Sequence, residues 1–503
     1  MKIKRILCTA VLCVAASTAF AQTAPVSGGA PQIDPATLTE AQIDQAQVPD
    51  ALYRLAAAYK QTGDYERLTW TLKRLIALLP NSGDLKLGLA TTLAMQGEKT
   101  RTYDLLLEMQ RAGYGYDLAG NPNFAKVADT KVWSHILDAL KINLKPFGEG
   151  KIAFSLPKGD TLFESLVFDP KRQQFLAGSV REGKIYLVDK SGKLQDFITP
   201  NAENGLWSVY AMAADPDSDA LYVASTSSVY FKDFSKADFG KAGVFKFSLS
   251  TGKLIEKYLL EPGNQPRTLS SIAAGKNGMV FAADGVNNVI YRLDGKALKP
   301  MVQNPKLTSL RGLAVSGNGK TLYFADYALG LFGVDLAAGT GFDLAYDTAK
   351  LALGGIDGVY WYDDALIVIQ NGMTPHRVMR LKLGNDGRQV VQSTPLDAGN
   401  TAFALPTYGT INGDALYFVA NSQKNEYGTY GTPKDGAKLE SVHVFRSDLR
   451  FAWQEAVPAG GTAIPPLLRM PGRPAGPAPS AGAAVSNGPF GNVEAGTQST
   501  ATH

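Results

Sequence analysis

Two periodicities divide this chain. From Pro49, apolar residues recur at three- and four-residue steps, with Leu52, Leu55, Ala56 and Tyr59 on one face, as a helix requires. Gly63-Asp64-Tyr65 ends that helix, and Leu68 through Leu79 predicts a second one stopped by Pro80-Asn81. The layout returns 34 residues later, where Leu89, Leu93 and Gly97 take the places of Leu55, Tyr59 and Gly63. A helical cap follows, with Phe124, Val127, Trp133, Ile136 and Leu140 as its buried positions. Near Phe147 the period falls from that of a helix to that of a strand, and short strands with Gly, Asp and Asn turns continue to about residue 455.

The strands repeat as units. Gln174-Phe-Leu-Ala-Gly, Ala220-Leu-Tyr-Val-Ala, Met279-Val-Phe-Ala-Ala-Asp, Thr321-Leu-Tyr-Phe-Ala-Asp, Ala365-Leu-Ile-Val-Ile-Gln and Ala415-Leu-Tyr-Phe-Val-Ala align as six second strands. Third strands such as Lys184-Ile-Tyr-Leu-Val-Asp and Val289-Ile-Tyr-Arg-Leu-Asp follow them. Six such units predict a mainly β fold, a six-bladed β-propeller preceded by a small all-α domain. The helical repeat, with a glycine at its inter-helix turn and a proline after its second helix, resembles the tetratricopeptide repeat over 51–113. That resemblance implies a surface for a protein partner; a packing appendage to the propeller fits the same residues.

The first residues change the picture of where the protein works. Lys2, Lys4 and Arg5 precede an apolar run from Ile6 to Ala16, too short to span a bilayer, and Ala19-Phe20-Ala21 supplies a small-x-small cleavage pattern. Export to the periplasm or beyond is expected, with no transmembrane segment in the mature chain. Cys8 and Cys13 would leave with the leader, so neither disulfide nor thiolate chemistry is expected afterwards. The formal charge of +4 drops to about +1 once the three leader cations go, which argues against a nucleic-acid partner. The expected division is a signal peptide over 1–21, a linker over 22–50, the tetratricopeptide-like domain over 51–145, the propeller over 150–456, and a disordered Pro/Gly/Ala/Ser/Thr-rich tail over 457–503.

A propeller arranges the first strand of each blade around a central channel. Counting back five residues from the turn before each second strand selects Glu164, Tyr210, a position near Ser270, Arg311, Asp357 and Thr407. Two carboxylates and a guanidinium should therefore converge on the axis, and buried charges are costly unless paired or metal-bound. An internal ion pair tying blades one, four and five together is one reading; a ligand or catalytic site is the other. Asp284, Asp326, Asn371 and Asn421 end the second strands of blades three to six, where they either reach the same mouth or cap turns. The histidines lack zinc spacing, no G-x-S-x-G elbow occurs, and Gly317-Asn318-Gly319 reads as a hairpin turn.

The six units resemble the gluconolactonase and regucalcin superfamily, which includes strictosidine-synthase-like propellers, over about 150–455. The segments that carry the resemblance are Glu164-Ser165, Gly312-Leu313-Ala314, Gly319 through Asp326, and Asp357-Gly358. It implies a calcium-assisted hydrolase, with Glu164 as a metal ligand and Asp357 as both ligand and general base. One departure matters: the family's blade-four ligand asparagine is Arg311 here, and a guanidinium cannot coordinate a cation. Arg311 in the metal's place, forking to Glu164 and Asp357, is the alternative that this departure raises. Ser270 or Ser271 likewise stands where asparagine is more typical.

Two functions follow. One is a lactone or ester hydrolase with Asp357 and Glu164 as catalytic groups and Arg311 as an anchor for a carboxylate or developing oxyanion. Tyr210, Asn371, Asn421, Asp284 and Asp326 would line its substrate site. The other is a non-catalytic periplasmic scaffold that holds a small anionic ligand at the mouth or a protein partner on the helical repeats.

Overall fold

A computed structural model describes residues 34–450, apart from 262 and 264, together with 489–490. The expected signal peptide and nearly all of the expected disordered tail lie outside the described residues. Among the described residues six α-helices precede the strands: α1 (Glu40–Asp44), α2 (Pro49–Thr62), α3 (Tyr65–Leu78), α4 (Gly83–Gln96), α5 (Lys99–Arg111) and α6 (Lys131–Asn143). Gly63 and Gly97 end α2 and α4 in the left-handed conformation, at φ 74° and 83°, which glycine adopts without steric cost. Asp64 caps α3 by accepting from the Arg67 amide.

The stretch expected as a linker is partly helical. Thr39 and Gln42 form a reciprocal capping box on α1. Ile43 is buried with Leu52, Tyr59, Leu68 and Leu72. Arg67 and Arg74 fix this segment by donating Nε hydrogens to the carbonyls of Leu38 and Ala46, at 2.9 and 2.7 Å. The cap residues Phe124, Val127, Trp133, Ile136 and Leu140 share one core with Ala90, Ala94 and Leu106.

Six four-stranded antiparallel sheets follow, each a blade. Their innermost strands are Phe163–Asp169, Ser208–Asp215, Leu269–Ala274, Leu310–Val315, Ile356–Tyr362 and Gly409–Asn412. The six second strands fall where the repeat alignment predicts them. Neighbouring blades bury a shared apolar layer, such as Phe281 and Ile290 against Leu322, Phe324 and Phe332. Each such side chain contributes about 1.5–3 kcal/mol of burial.

The ring closes through a strand that the repeat pattern does not reveal. Lys151–Leu156 is the outer strand of blade six, antiparallel to Val442–Asp448, with Leu156 opposite Val442 and Lys151 opposite Arg446. Both ends of the propeller sequence therefore meet in one sheet, which leaves no gap in the ring. Asp397, on blade five's outer strand, clasps this seam: it accepts from the Gly150 amide at 2.8 Å and from the Ser447 hydroxyl.

The helices rest on the loops of blades four and five. Asn81 donates to the Leu329 carbonyl at 2.7 Å and accepts from the Tyr346 hydroxyl at 2.9 Å. Met109, Ala112 and Tyr114 bury against Ala352 and Met373, and the Gly115 amide donates to the Thr374 carbonyl at 2.8 Å. Arg377 lies beneath this contact, donating to Gln370 and to the Ala352 carbonyl. Among the described residues no helix is long and apolar enough to cross a membrane.

Asn81→Ala should lose about 1–3 kcal/mol, because both polar partners are left without it; urea denaturation reads this, and an unchanged midpoint contradicts the docking described. Burial raises the pKa of Asp397 to about 6, against the pull of Ser447 and Gly150. The folded chain then keeps a proton that the unfolded chain releases, so stability should fall as pH climbs from about 4 to about 6. Asp397→Asn should flatten that part of the stability–pH curve, and a curve identical to wild type would show that Asp397 does not titrate there.

Candidate functional site

The geometry of the site is set by backbone irregularities. Near the start of the innermost strand, pairing slips by one residue between Phe163 and Ser165, Val209 and Ala211, Leu269 and Ser271, Leu310 and Leu313, and Ile356 and Gly358. The extra residues are Glu164, Tyr210, Ser270, Arg311 with Gly312, and Asp357. A bulge breaks the two-residue alternation and re-aims a side chain, so five blades each turn one residue out of the regular inward pattern. In blade six the Thr407 amide bonds the Val419 carbonyl while Gly409 pairs with Phe418. The extra residue there is Tyr408, which corrects the assignment of Thr407 by one position.

The charged members meet. Arg311 Nε lies 3.5 Å from Asp357 Oδ1, and the Thr407 hydroxyl donates to Asp357 Oδ2 at 2.6 Å. The guanidinium also covers the Tyr327 ring, 5.5 Å from its centroid. Its pKa rises: burial works to lower it, but Asp357, Tyr408, Tyr327 and Asp326 together outweigh that. Glu164 is only 6% exposed and accepts from the Ser422 hydroxyl at 2.5 Å. Burial drives its pKa up and Asp357 adds to this, while Lys424, Ser422 and Arg311 pull the other way. Burial and then Asp357 likewise hold the Tyr408 hydroxyl well above its ordinary value. Blades one, four, five and six thus share one electrostatic unit at the axis.

Two structures wall this mouth. On one side, the segment between Val419 and Val442 crosses from blade six to blade two. There Tyr427 packs with Leu162, Val180 and Tyr210 and donates to Asp160 at 2.9 Å, while Asp160 holds Arg181 through two hydrogen bonds. On the other side stand the helices. Tyr327 and Asn371 lie on the loops that hold them, beside Ala328, Leu329 and Met373. Beneath the ring the channel opens into a cavity of about 570 Å³ with mostly small and apolar walls, such as Ala213, Ala273, Ala314 and Val359, and it reaches up to Tyr408.

Several expected residues do other work. Asp284 is fully buried and accepts from the amides of Thr268, Val286 and Asn287. Asp326 does the same for Thr308, Ser309, Ala328 and Leu329. Both carboxylates organise loops, because their oxygens are consumed by neighbouring loop donors: backbone amides on both oxygens of Asp326, and backbone amides with the Asn287 side chain on Asp284. Asn421 ties the Ser441 carbonyl to the His443 amide and so fixes the root of the blade-six segment. Asn371 accepts from Tyr327 at 2.9 Å and donates to the Pro406 carbonyl at 2.8 Å, which supports the mouth from behind. Tyr210 is at its bulge but covered, with its hydroxyl on Ser228.

Sequence reasoning missed Tyr408, Tyr327, Ser422 and Lys424. A signal for Tyr408 exists: each bulged residue precedes a small one, in Glu164-Ser165, Tyr210-Ala211, Ser270-Ser271, Arg311-Gly312 and Asp357-Gly358, and Tyr408-Gly409 obeys the same rule. Ser422 and Lys424 belong to the long connection between the second and third strands of blade six, which lies outside the aligned repeats.

The donor set does not fit calcium. That ion takes six to eight oxygen ligands, whereas the ring offers two carboxylates with a guanidinium against one of them. Among the described residues there is no group of three or more acidic, histidine or cysteine side chains placed to hold a metal. The fork from Arg311 to both acids is not formed either, since its ion pair is with Asp357 and Glu164 is bonded to Ser422.

No family model matches the sequence, and no curated protein matches it. Solved structures do. A putative oxidoreductase (glucose dehydrogenase) from Thermus thermophilus is 18% identical, covering 59% of this chain and all of its own, with a TM-score of 0.41. A gluconolactonase from Xanthomonas campestris is 12% identical over 58% of this chain and 88% of its own, with a TM-score of 0.38. Virginiamycin B lyase from Staphylococcus aureus is 15% identical over 55% of this chain and 84% of its own, also with a TM-score of 0.38.

Proposed function

We propose that the ring at the propeller mouth is a metal-independent hydrolytic site for a small lactone or ester, in an exported protein. The observation that carries this reading is the burial-raised acid Glu164 in one electrostatic unit with the Asp357–Arg311 pair. Two carboxyl groups in unlike surroundings supply an acid and a base. Asp357 takes a proton from water as the water oxygen bonds to the ester carbon. The carbonyl oxygen becomes an oxyanion beside Arg311. The carbon–oxygen bond of the leaving group then breaks, and Glu164 gives its proton to the departing alkoxide. A lactone and one water thus yield one hydroxy acid, and the proton held by Asp357 returns to Glu164 through solvent.

A second reading keeps the ring and omits the chemistry: a scaffold that binds a small anion at Arg311 and Lys424. The position of the helices against the mouth favours it, because a partner on the tetratricopeptide-like pairs would touch the loops of Tyr327 and Asn371.

Against a panel of lactones and aryl esters, Asp357→Asn and Glu164→Gln should each lower kcat by about 10²-fold or more, with melting temperature retained. Arg311→Met should cost about 10²–10³-fold. Full turnover by both carboxyl variants would sink the hydrolytic reading, and anion binding without turnover in wild type would select the scaffold. Because Glu164 must enter the reaction protonated, turnover should decline as pH rises through its raised pKa, and a rate that keeps climbing with pH assigns the acid elsewhere.

A further inference from the structure

The outer strand of blade four is four residues long, Thr340–Asp343. In blades one, two and three the outer strand opposes an apolar residue of the third strand with a second apolar side chain. Leu194 faces Val188, Leu254 faces Phe247, and Leu298 faces Leu293. Each of these pairs belongs to a core between neighbouring blades. In blade four the same register places Gly341 opposite Val334, which leaves the core shared with blade three short of one side chain.

A residue from far along the chain fills the gap. Phe490 packs into that core, edge-on to Phe332 at 5.7 Å and to Phe324 at 6.1 Å between ring centroids. A side chain at Gly341 would collide with the Phe490 ring. The fit also has polar ends. Asn304, from the loop between blades three and four, donates to the Pro489 carbonyl at 2.9 Å, and the Phe490 amide makes a long bond of 3.4 Å to Asp343.

We propose that the flank of blade four is a recognition pocket for a Pro-Phe segment, occupied by the chain's own Pro489-Phe490. Gly341 is its selectivity element, because the missing side chain makes the room for the ring. The carboxamide of Asn304 reads the carbonyl before the aromatic residue, and the Phe324–Phe332 wall reads the ring itself. This proposal stands apart from the chemistry at the mouth and does not depend on it.

The test compares full-length wild type, Phe490→Ala and the double variant Gly341→Leu/Phe490→Ala. Phe490→Ala should lower the melting temperature by a few degrees, and Gly341→Leu should restore it by supplying the missing side chain from the strand. A blocked peptide of sequence Asn-Gly-Pro-Phe-Gly, corresponding to 487–491, should bind Phe490→Ala in calorimetry and should bind wild type and the double variant at least tenfold more weakly. An unchanged melting temperature in Phe490→Ala overturns the proposal. So does failure of Phe490→Ala to bind the peptide at millimolar concentration, and that reading holds whether or not the double variant folds.

Discussion

The site depends on one backbone device, the extra residue near the start of each innermost strand. Regular strands alternate their side chains, and small residues such as Ala213, Ala273 and Ala314 are what the channel wall accommodates. A bulge inserts a residue that belongs to neither face, so a large or charged side chain can be placed at the axis without disturbing the ladder on either side. Six blades repeat the device, and what differs between them is chemistry: glutamate, tyrosine, serine, arginine, aspartate, tyrosine. The burial that raises Glu164 and the ion pair of Asp357 with Arg311 follow from that convergence, since charges far apart in sequence are brought into one poorly hydrated place.

The rest of the molecule walls this place and fixes it. The segment after Val419 covers the blade-one and blade-two side and puts Ser422 on Glu164. The helices brace the blade-four and blade-five side through Asn81 and the Met109–Tyr114 contact. Closure of the ring by Lys151–Leu156 and the Asp397 clasp hold blade one against blade six, so that Glu164 and Tyr408 share one mouth. Phe490 completes the core behind blade four, the blade that carries Arg311.

Much of this was legible in the sequence because both repeats are periodic. Gly63 and Gly97 mark equivalent helix ends, and the aligned second strands locate six blades. They also bring Glu164, Arg311 and Asp357 to one level of the channel. Less legible was whatever depends on pairing between distant residues. The closing strand matches no repeat, because its partner lies almost 300 residues away. Asp284 and Asp326 look like ligands in a strand alignment, and only three-dimensional placement shows that donors of their own loops consume their oxygens. Lys424 and Ser422 belong to a connection outside the aligned repeats, and a lone phenylalanine in a proline- and glycine-rich tail gives no sign of the Gly341 gap it fills.

The most direct test of the account is the titration of the Glu164 carboxyl, followed by the carbon resonance of labelled glutamate and assigned by its loss in Glu164→Gln. The midpoint should lie above the ordinary glutamate value, fall in Asp357→Asn and rise in Lys424→Met, because the first removes a like charge and the second an opposite one. A midpoint at the ordinary value, unmoved by either substitution, would contradict the claim that the ring is one electrostatic unit.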